Sequence, residues 1–216
     1  MPAETAGPAV FLDRDGVLNR HVLHAQRGAY EPPHAPAEIA LFPWTLASLR
    51  RLQAAGFRLF VVSNQPDHAK RKTTLDALLA VQAAFAGQLR AAGIEIAEYA
   101  YCHCHPDSDV QGFGAPCACR KPSPWMVQDL LRRHAVDAGR SWLVGDRASD
   151  IDCGNAAGLR TIQVRDPHSV PGTGQTTPAA RAATLAEAVE LILAELPPGK
   201  DGENHRCALS RATPED

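Results

Sequence analysis

Aromatic side chains are scarce, three Trp, three Tyr and six Phe among 216 residues, and they offer little for stacking on unpaired bases. Neither sign of charge dominates. The formal net charge of -2 argues against a protein that holds nucleic acid mainly through a basic field. No window approaches the roughly 18 apolar residues of a spanning helix. The N-terminus, MPAETAGPAVFLDRDG, lacks a basic stretch followed by an apolar run of signal-peptide length. Neither nucleic acid nor a membrane is therefore expected as a partner, the expected compartment is the cytoplasm, and a monomer is the default. Internal repeats and long low-complexity tracts are missing as well. Cysteine is limited to six positions, but four of them stand in YCHCHPDSDVQGFGAPCACRKP, Tyr101 to Pro122, as two Cys-x-Cys pairs. In a reducing compartment such a cluster points to metal binding or catalysis rather than to disulfides.

What is present suffices for a core. With 45% hydrophobic and 21% charged residues, one compact domain can bury most of its apolar surface. We expect it over residues 1–196, with a disordered polar tail over 197–216 after Pro197-Pro198-Gly199. Short apolar runs at Ala9 to Leu12, Arg58 to Val62, Trp142 to Val144 and Thr161 to Val164 read as buried strands, and Ile94 to Tyr101 as a further one. Helical spacing fills Thr45 to Ala55, Thr73 to Ala92, Ser123 to Val136, Ala148 to Ala157 and Leu185 to Leu196, three of them stopped by Gly56, Gly93 and Gly158. The Pro-, Gly- and Thr-rich stretch from Arg165 to Ala183 reads as a loop. Strands alternating with helices imply βαβ units, hence an α/β fold with a Rossmann-like, doubly wound parallel sheet.

In such a sheet ligands bind beyond the carboxyl ends of the strands, where this chain places Asp13-Arg14-Asp15-Gly16, Ser63-Asn64-Gln65 and Gly145-Asp146-Arg147. Period-two geometry would point Asp13 and Asp15 the same way. Two like charges that close repel unless a cation lies between them, and a divalent metal with Asp146 as a further oxygen ligand is the remedy. Taken alone, DxD is equally a solvated loop with an Asx turn. Ser63 and exposed backbone N–H groups suit a phosphate oxygen. Lys121, just before the helix beginning near Ser123, can face an anion together with the positive helix end. Asp150, one helical turn beyond Asp146, stacks its carboxylate on the same face.

Asp-x-Asp-Gly, Ser-Asn, Lys-Pro before a helix and Gly-Asp-x-x-x-Asp, in that order, resemble the haloacid dehalogenase superfamily of phosphatases, from about Ala9 to Val164. The resemblance implies helices on both faces of the sheet, a minimal cap and a zinc-binding loop insertion over 101–120. It implies Asp13 as nucleophile and Asp15 as general acid and base. It further implies Mg²⁺ held by Asp13, the main-chain carbonyl of Asp15 and Asp146, with Asp150 orienting a water on that ion. Ser63, Lys121 and backbone N–H groups would neutralise the phosphoryl oxygens.

The cysteines narrow the resemblance. FLDRDG, Ser-Asn-Gln, a Cys-rich loop and Arg-Lys-Pro directly after it are similar to the D-glycero-D-manno-heptose-1,7-bisphosphate 7-phosphatases, and the histidinol-phosphatases share that plan. The implied partner is a small phosphorylated sugar, a bisphosphate in the first case. Histidinol phosphate is the alternative, and a zinc-stabilised module without activity is a third reading. Asn64, Gln65, Arg120 and Arg147 are the implied substrate contacts. Cys102, Cys117 and Cys119 match the zinc positions of the family, whereas its His falls on Cys104. Either Cys104 completes a structural Zn²⁺ tetrahedron, His103 or His105 replaces it, or no metal binds. Two further departures are Pro66-Asp67-His68-Ala69-Lys70-Arg71, where the family has Ser-Gly and then Ala-Arg-Gly, and Trp125, where it has Gly. Core packing is preferred over a pocket-lining role for Trp125; the loop from Asn19 to Pro36, with His21, His24, Arg27 and His34, lies where it could line the cleft, but a solvated surface is preferred for its three histidines. Cys153 is expected to pack on its helix and Cys207 to lie in the tail.

Overall fold

In the computed structural model the described residues are 7–169 and 174–196, so the expected tail and Cys207 lie outside them. Ala9–Leu12 (β1) is apolar at all of its positions and wholly buried, the pattern of a strand covered on both faces. Val10 and Leu12 point into one layer, with Leu49 and Leu52 of α1 (Thr45–Ala54), Phe85 and Leu89 of α2 (Leu75–Ala91) and Val189 and Ile192 of α5 (Leu185–Ala194). Ala9 and Phe11 point into the other, with Val127 and Leu130 of α3 (Trp125–Arg133) and Cys153 of α4 (Ala148–Ala156). Helices thus cover both faces, and Cys153 packs as expected.

The remaining strands are β2 (Val22–His24), β3 (Ala29–Glu31), β4 (Arg58–Asn64), β5 (Glu98–Cys102), β6 (Trp142–Gly145), β7 (Arg160–Val164) and β8 (Ala180–Ala182). Six of the eight form one parallel sheet in the order β5-β4-β1-β6-β7-β8. From β1 the chain winds outward through β4 and β5, then returns to β6 on the other side. The switch point therefore lies between β1 and β6, where a crevice opens at the carboxyl ends. Leu12 pairs with Val144, and the Asp13 N–H donates to the Val144 carbonyl at 3.0 Å. Asp13 and Asp146 consequently leave the sheet side by side.

Most boundaries fall within two residues of the sequence expectation, but three differences are larger. Residues from Ile94 close α2 before β5 begins, because the Ile94 N–H returns to the Leu89 carbonyl and Gly93 takes φ +74°. α3 stops at Arg133 rather than Val136, since Ala135 turns to φ +47°. The expected loop from Arg165 to Ala183 contains β8, three residues that gain order from pairing with β7 and are too short to show a period of their own. A small antiparallel hairpin, β2 with β3, stands between β1 and α1 where a cap would be inserted. Among the described residues no helix is long and apolar enough to cross a membrane.

Candidate active site

The chain leaves β1 at Leu12, so the alternation that would pair Asp13 with Asp15 and turn Arg14 away does not apply. Instead Arg14 is buried and folds onto Asp15, donating from Nε at 3.2 Å to Oδ1 and from a terminal nitrogen at 2.9 Å to Oδ2. Asn19 donates to Oδ1 at 2.8 Å and Gln65 to Oδ2 at 2.6 Å. Burial pushes the Asp15 carboxyl up, but the Arg14 charge and the Gln65 and Asn19 hydrogen bonds outweigh it and hold the group below the usual range. Arg14 had no sequence signal of its own beyond its place between the two aspartates.

Lys121 is buried, and its ammonium meets Asp13 at 3.1 Å, Asp150 at 2.6 Å and the Val62 carbonyl at 2.8 Å. Burial works against its charge, yet Asp13 and Asp150 raise it above the ordinary lysine value. Asp150 reaches back from the first turn of α4 to accept the Arg147 N–H at 3.0 Å, while burial, eased in part by Lys121, pushes its carboxyl up. Asp146 gains less relief, from Ser169 and Arg147 only. It is 6% exposed, neither of its oxygens has a hydrogen-bond partner, and the Arg147 Nε stays 4.0 Å away. Burial, then the charges of Asp13 and Asp150, push it up to about 8. One oxygen from each of Asp13, Asp146 and Asp150 lies within 4.8 Å of the others. Three carboxylates crowded around unpartnered oxygens fit a hard divalent cation. Gly16 and Gly145 make room: a Cβ on Gly16, at φ +84°, would lie 2.5 Å from Asp146 Oδ2, and one on Gly145 2.2 Å from the Asp150 Cβ.

The residues at the end of β4 and just after it sit in the same crevice but spend their amides on the protein. Asn64 accepts the Lys121 N–H and donates to the Lys121 carbonyl, both at 3.0 Å. Gln65 donates to Asp15 and, at 3.0 Å, to Ser63 Oγ, and accepts from Arg14. Expected as substrate contacts, in the free protein they hold Lys121 and Asp15, because an amide takes the partners already within reach. Ser63 is buried beside them. Arg120 donates one terminal nitrogen to the Cys104 carbonyl at 3.1 Å, and Arg147 stays half-exposed beside Asp146.

Cys102, Cys104, Cys117 and Cys119 bring their sulfurs within 4.8 Å of one another with no disulfide among them. Cys117 lies 3.5 Å from Cys102 and 3.2 Å from Cys119, against about 3.8 Å for the edge of a tetrahedron with Zn–S bonds of about 2.3 Å. Burial pushes the Cys102, Cys104 and Cys119 thiols up, whereas at Cys117 hydrogen bonds from Cys119, Cys104 and Cys102 outweigh burial and bring the thiol down to about 7, so one of the four sulfurs is readied as a thiolate. The neighbouring histidines turn elsewhere. His103 bonds the Gln65 carbonyl at 3.1 Å, and His105 accepts the Asp107 N–H at 3.3 Å.

Two other expectations are corrected. Trp125 is 51% exposed at the start of α3 rather than in the core, because Pro124 begins the helix with that position outward. The histidines of the hairpin segment are not a solvated surface: His21 is buried against Asp166 at 2.5 Å, and His34 meets Asp67 at 2.8 Å. Their carboxylate partners lie far along the chain, where no local pattern announces them.

A family model for HAD-hydrolase-like proteins matches residues 118–191. The D-glycero-beta-D-manno-heptose-1,7-bisphosphate 7-phosphatase of Rhodopseudomonas palustris is 33% identical over 152 residues, 70% of this chain and 80% of that protein. The D-glycero-alpha-D-manno-heptose-1,7-bisphosphate 7-phosphatase of Photorhabdus laumondii is 29% identical, over 73% of this chain and 82% of that one. The crystal structure of the D,D-heptose 1,7-bisphosphate phosphatase of B. bronchiseptica, complexed with magnesium and phosphate, superposes with a TM-score of 0.68 at 25% identity, covering 88% of this chain and 99% of the other. A shared sheet, a carboxylate crevice at its switch point and 33% identity over 152 residues place the chain in the D-glycero-D-manno-heptose-1,7-bisphosphate 7-phosphatase family of haloacid-dehalogenase-like phosphoric monoester hydrolases.

Proposed function

We propose that this chain, as one phosphatase domain over residues 1–196, removes a single phosphate from D-glycero-D-manno-heptose 1,7-bisphosphate and leaves the heptose 1-phosphate. The observation that carries the reading is the buried trio Asp13, Asp146 and Asp150 facing Lys121, with both Asp146 oxygens unpartnered. Asp13, the Asp15 main-chain carbonyl and Asp146 would hold Mg²⁺, which supplies charge for the oxygens of the transferring phosphoryl group. An Asp13 oxygen attacks phosphorus as the bond to the sugar oxygen breaks, giving an aspartyl phosphate, and Asp15 delivers its proton to the departing oxygen. Water then displaces Asp13 from phosphorus while Asp15 takes that water's proton, and inorganic phosphate leaves. In the free protein Asp15 is held ionised by Arg14, the state needed for the second step. The arriving substrate dianion favours the protonated form needed for the first. Lys121 neutralises developing charge from a fixed position, and Asn64 holds its backbone there. Ser63, Arg120 and Arg147 are the remaining groups proposed at the phosphate and sugar.

We assign Zn²⁺ to Cys102, Cys104, Cys117 and Cys119. Such a closed thiolate site is structural, with no position left for water. It would clamp the loop whose next two residues are Arg120 and Lys121. Steady-state phosphate release with Mg²⁺ present should favour heptose bisphosphate over histidinol phosphate and fructose bisphosphate by at least ~100-fold in kcat/KM. Asp13→Asn should lose at least ~10³-fold. A preference for histidinol phosphate would move the chain to the other reading. Equal turnover by Asp13→Asn would remove the mechanism altogether.

A further inference from the structure

The β2–β3 hairpin holds a second group of metal-ligating side chains, for which phosphate transfer has no use. His24 ends β2, Glu31 ends β3 and His34 follows, and one donor atom of each lies within 4.8 Å of the others. The two imidazole rings tilt together with centroids 4.3 Å apart. In both rings the Nε2 atom is already committed. His24 Nε2 lies 3.1 Å from the Pro32 carbonyl. A carbonyl only accepts, so that nitrogen carries the proton and Nδ1 carries a lone pair. His34 Nε2 lies 2.8 Å from an Asp67 carboxylate oxygen, and its Nδ1 lies 3.1 Å from a terminal nitrogen of Arg27. A guanidinium only donates, so here too Nδ1 presents a lone pair. An imidazole whose outer N–H is fixed by a carbonyl or carboxylate is oriented as metal-binding histidines are.

Arg27 now fills the space between these donors. Its Nε donates to Glu31 Oε2 at 2.8 Å while the same guanidinium reaches His34. Its side chain is about a third exposed, so it can withdraw into solvent without leaving a buried charge behind. Glu31 would keep Lys72 as a second cationic partner. A dication in place of the guanidinium changes the local charge by one.

We propose that His24, Glu31 and His34 form a binding site for a borderline transition-metal dication, Zn²⁺ foremost, separate from the carboxylate crevice and from the cysteine cluster. Two imidazoles and one carboxylate select such an ion over Mg²⁺. Because Asp67 belongs to the loop after Gln65, the ion ties the hairpin to that loop and leaves a position open for water toward the adjoining cavity of about 430 Å³.

Metal-stripped protein titrated with Co²⁺ in excess Mg²⁺ tests this site independently of any substrate. Wild type should take up one equivalent that shows no thiolate charge-transfer band, beside the equivalent that does. His24→Gln should lose that equivalent and keep the thiolate band. Arg27→Gln, which removes the competing guanidinium, should bind it about tenfold more tightly. Unchanged uptake by His24→Gln, or no tightening in Arg27→Gln, overturns the proposal. Either result leaves the phosphatase reading untouched.

Discussion

Asp146 stands in a place that water would not choose for a carboxylate, buried and without a hydrogen bond, and held up to about 8 by burial and by Asp13 and Asp150. Gly16 makes that placement possible, since any side chain there would meet Asp146 Oδ2 at 2.5 Å and would also have to adopt φ +84°. Gly16→Ala is therefore expected to push Asp146 out of position and to strain the backbone by about 1 kcal/mol. The apparent affinity for Mg²⁺, measured by activity titration, should weaken ~10-fold or more. A fall in melting temperature with unchanged Mg²⁺ dependence would mean that only the turn was disturbed. The same crowding explains why Lys121 has three partners and no freedom: an ammonium buried among carboxylates is held where charge develops, with no reorganisation left to perform.

At the scale of elements, the site depends on how α3 is tied to the edge of the sheet. Glu98 opens β5 and receives Arg133 at 2.6 Å and His134 at 2.8 Å from the end of α3. The Arg133 hydrogen bond, against a smaller desolvation cost and with help from His134, lowers the Glu98 carboxyl to about 2. A carboxyl held below its usual 4.5 stabilises the fold above that pH, and the contribution disappears as pH falls through about 2. Glu98→Gln should thus melt about 1–4 °C below wild type at neutral pH, and the gap should close by pH 2; the carboxylate is about a third exposed, so solvent screening keeps the effect at about 0.5–1 kcal/mol. A gap that persisted at pH 2 would assign the loss to packing rather than to the charge. The cysteine loop between β5 and α3 has no helix or strand of its own and is held by a few hydrogen bonds, such as the His105 N–H to the Phe113 carbonyl and Arg120 to the Cys104 carbonyl, so a cross-link among its four sulfurs would add order that no backbone ladder supplies. That is the physical case for an ion there.

For the whole molecule, the ions proposed at the aspartates and at the four cysteines divide the work between chemistry and architecture. Removing alkaline-earth ions with a chelator should stop turnover and leave the melting curve within a few degrees, with activity returning on addition of Mg²⁺. Stripping Zn²⁺, or replacing Cys117 by Ser, should lower the melting temperature by several degrees and reduce turnover ~10-fold or more without rescue by Mg²⁺, since Arg120 and Lys121 follow directly on the clamped loop. Calorimetry and phosphate release on one preparation separate the two effects. A Cys117→Ser protein with wild-type stability and turnover would remove zinc from the architecture.

The sequence by itself determined five of the six strands of the sheet, all but β8, because buried strands, capped helices and stop glycines such as Gly56 and Gly158 are written in neighbouring residues. It also determined which aspartates stand at the strand ends, since a residue after a strand is located by that strand, and that Lys121 comes just before a helix. Tertiary structure decided what those groups do to one another. Arg14 turning onto Asp15, Asn64 holding Lys121 across 57 positions and His21 meeting Asp166 across 145 are choices of partner made through space. A buried polar group must be satisfied by whatever the fold brings within about 3 Å, and no local pattern encodes that distance.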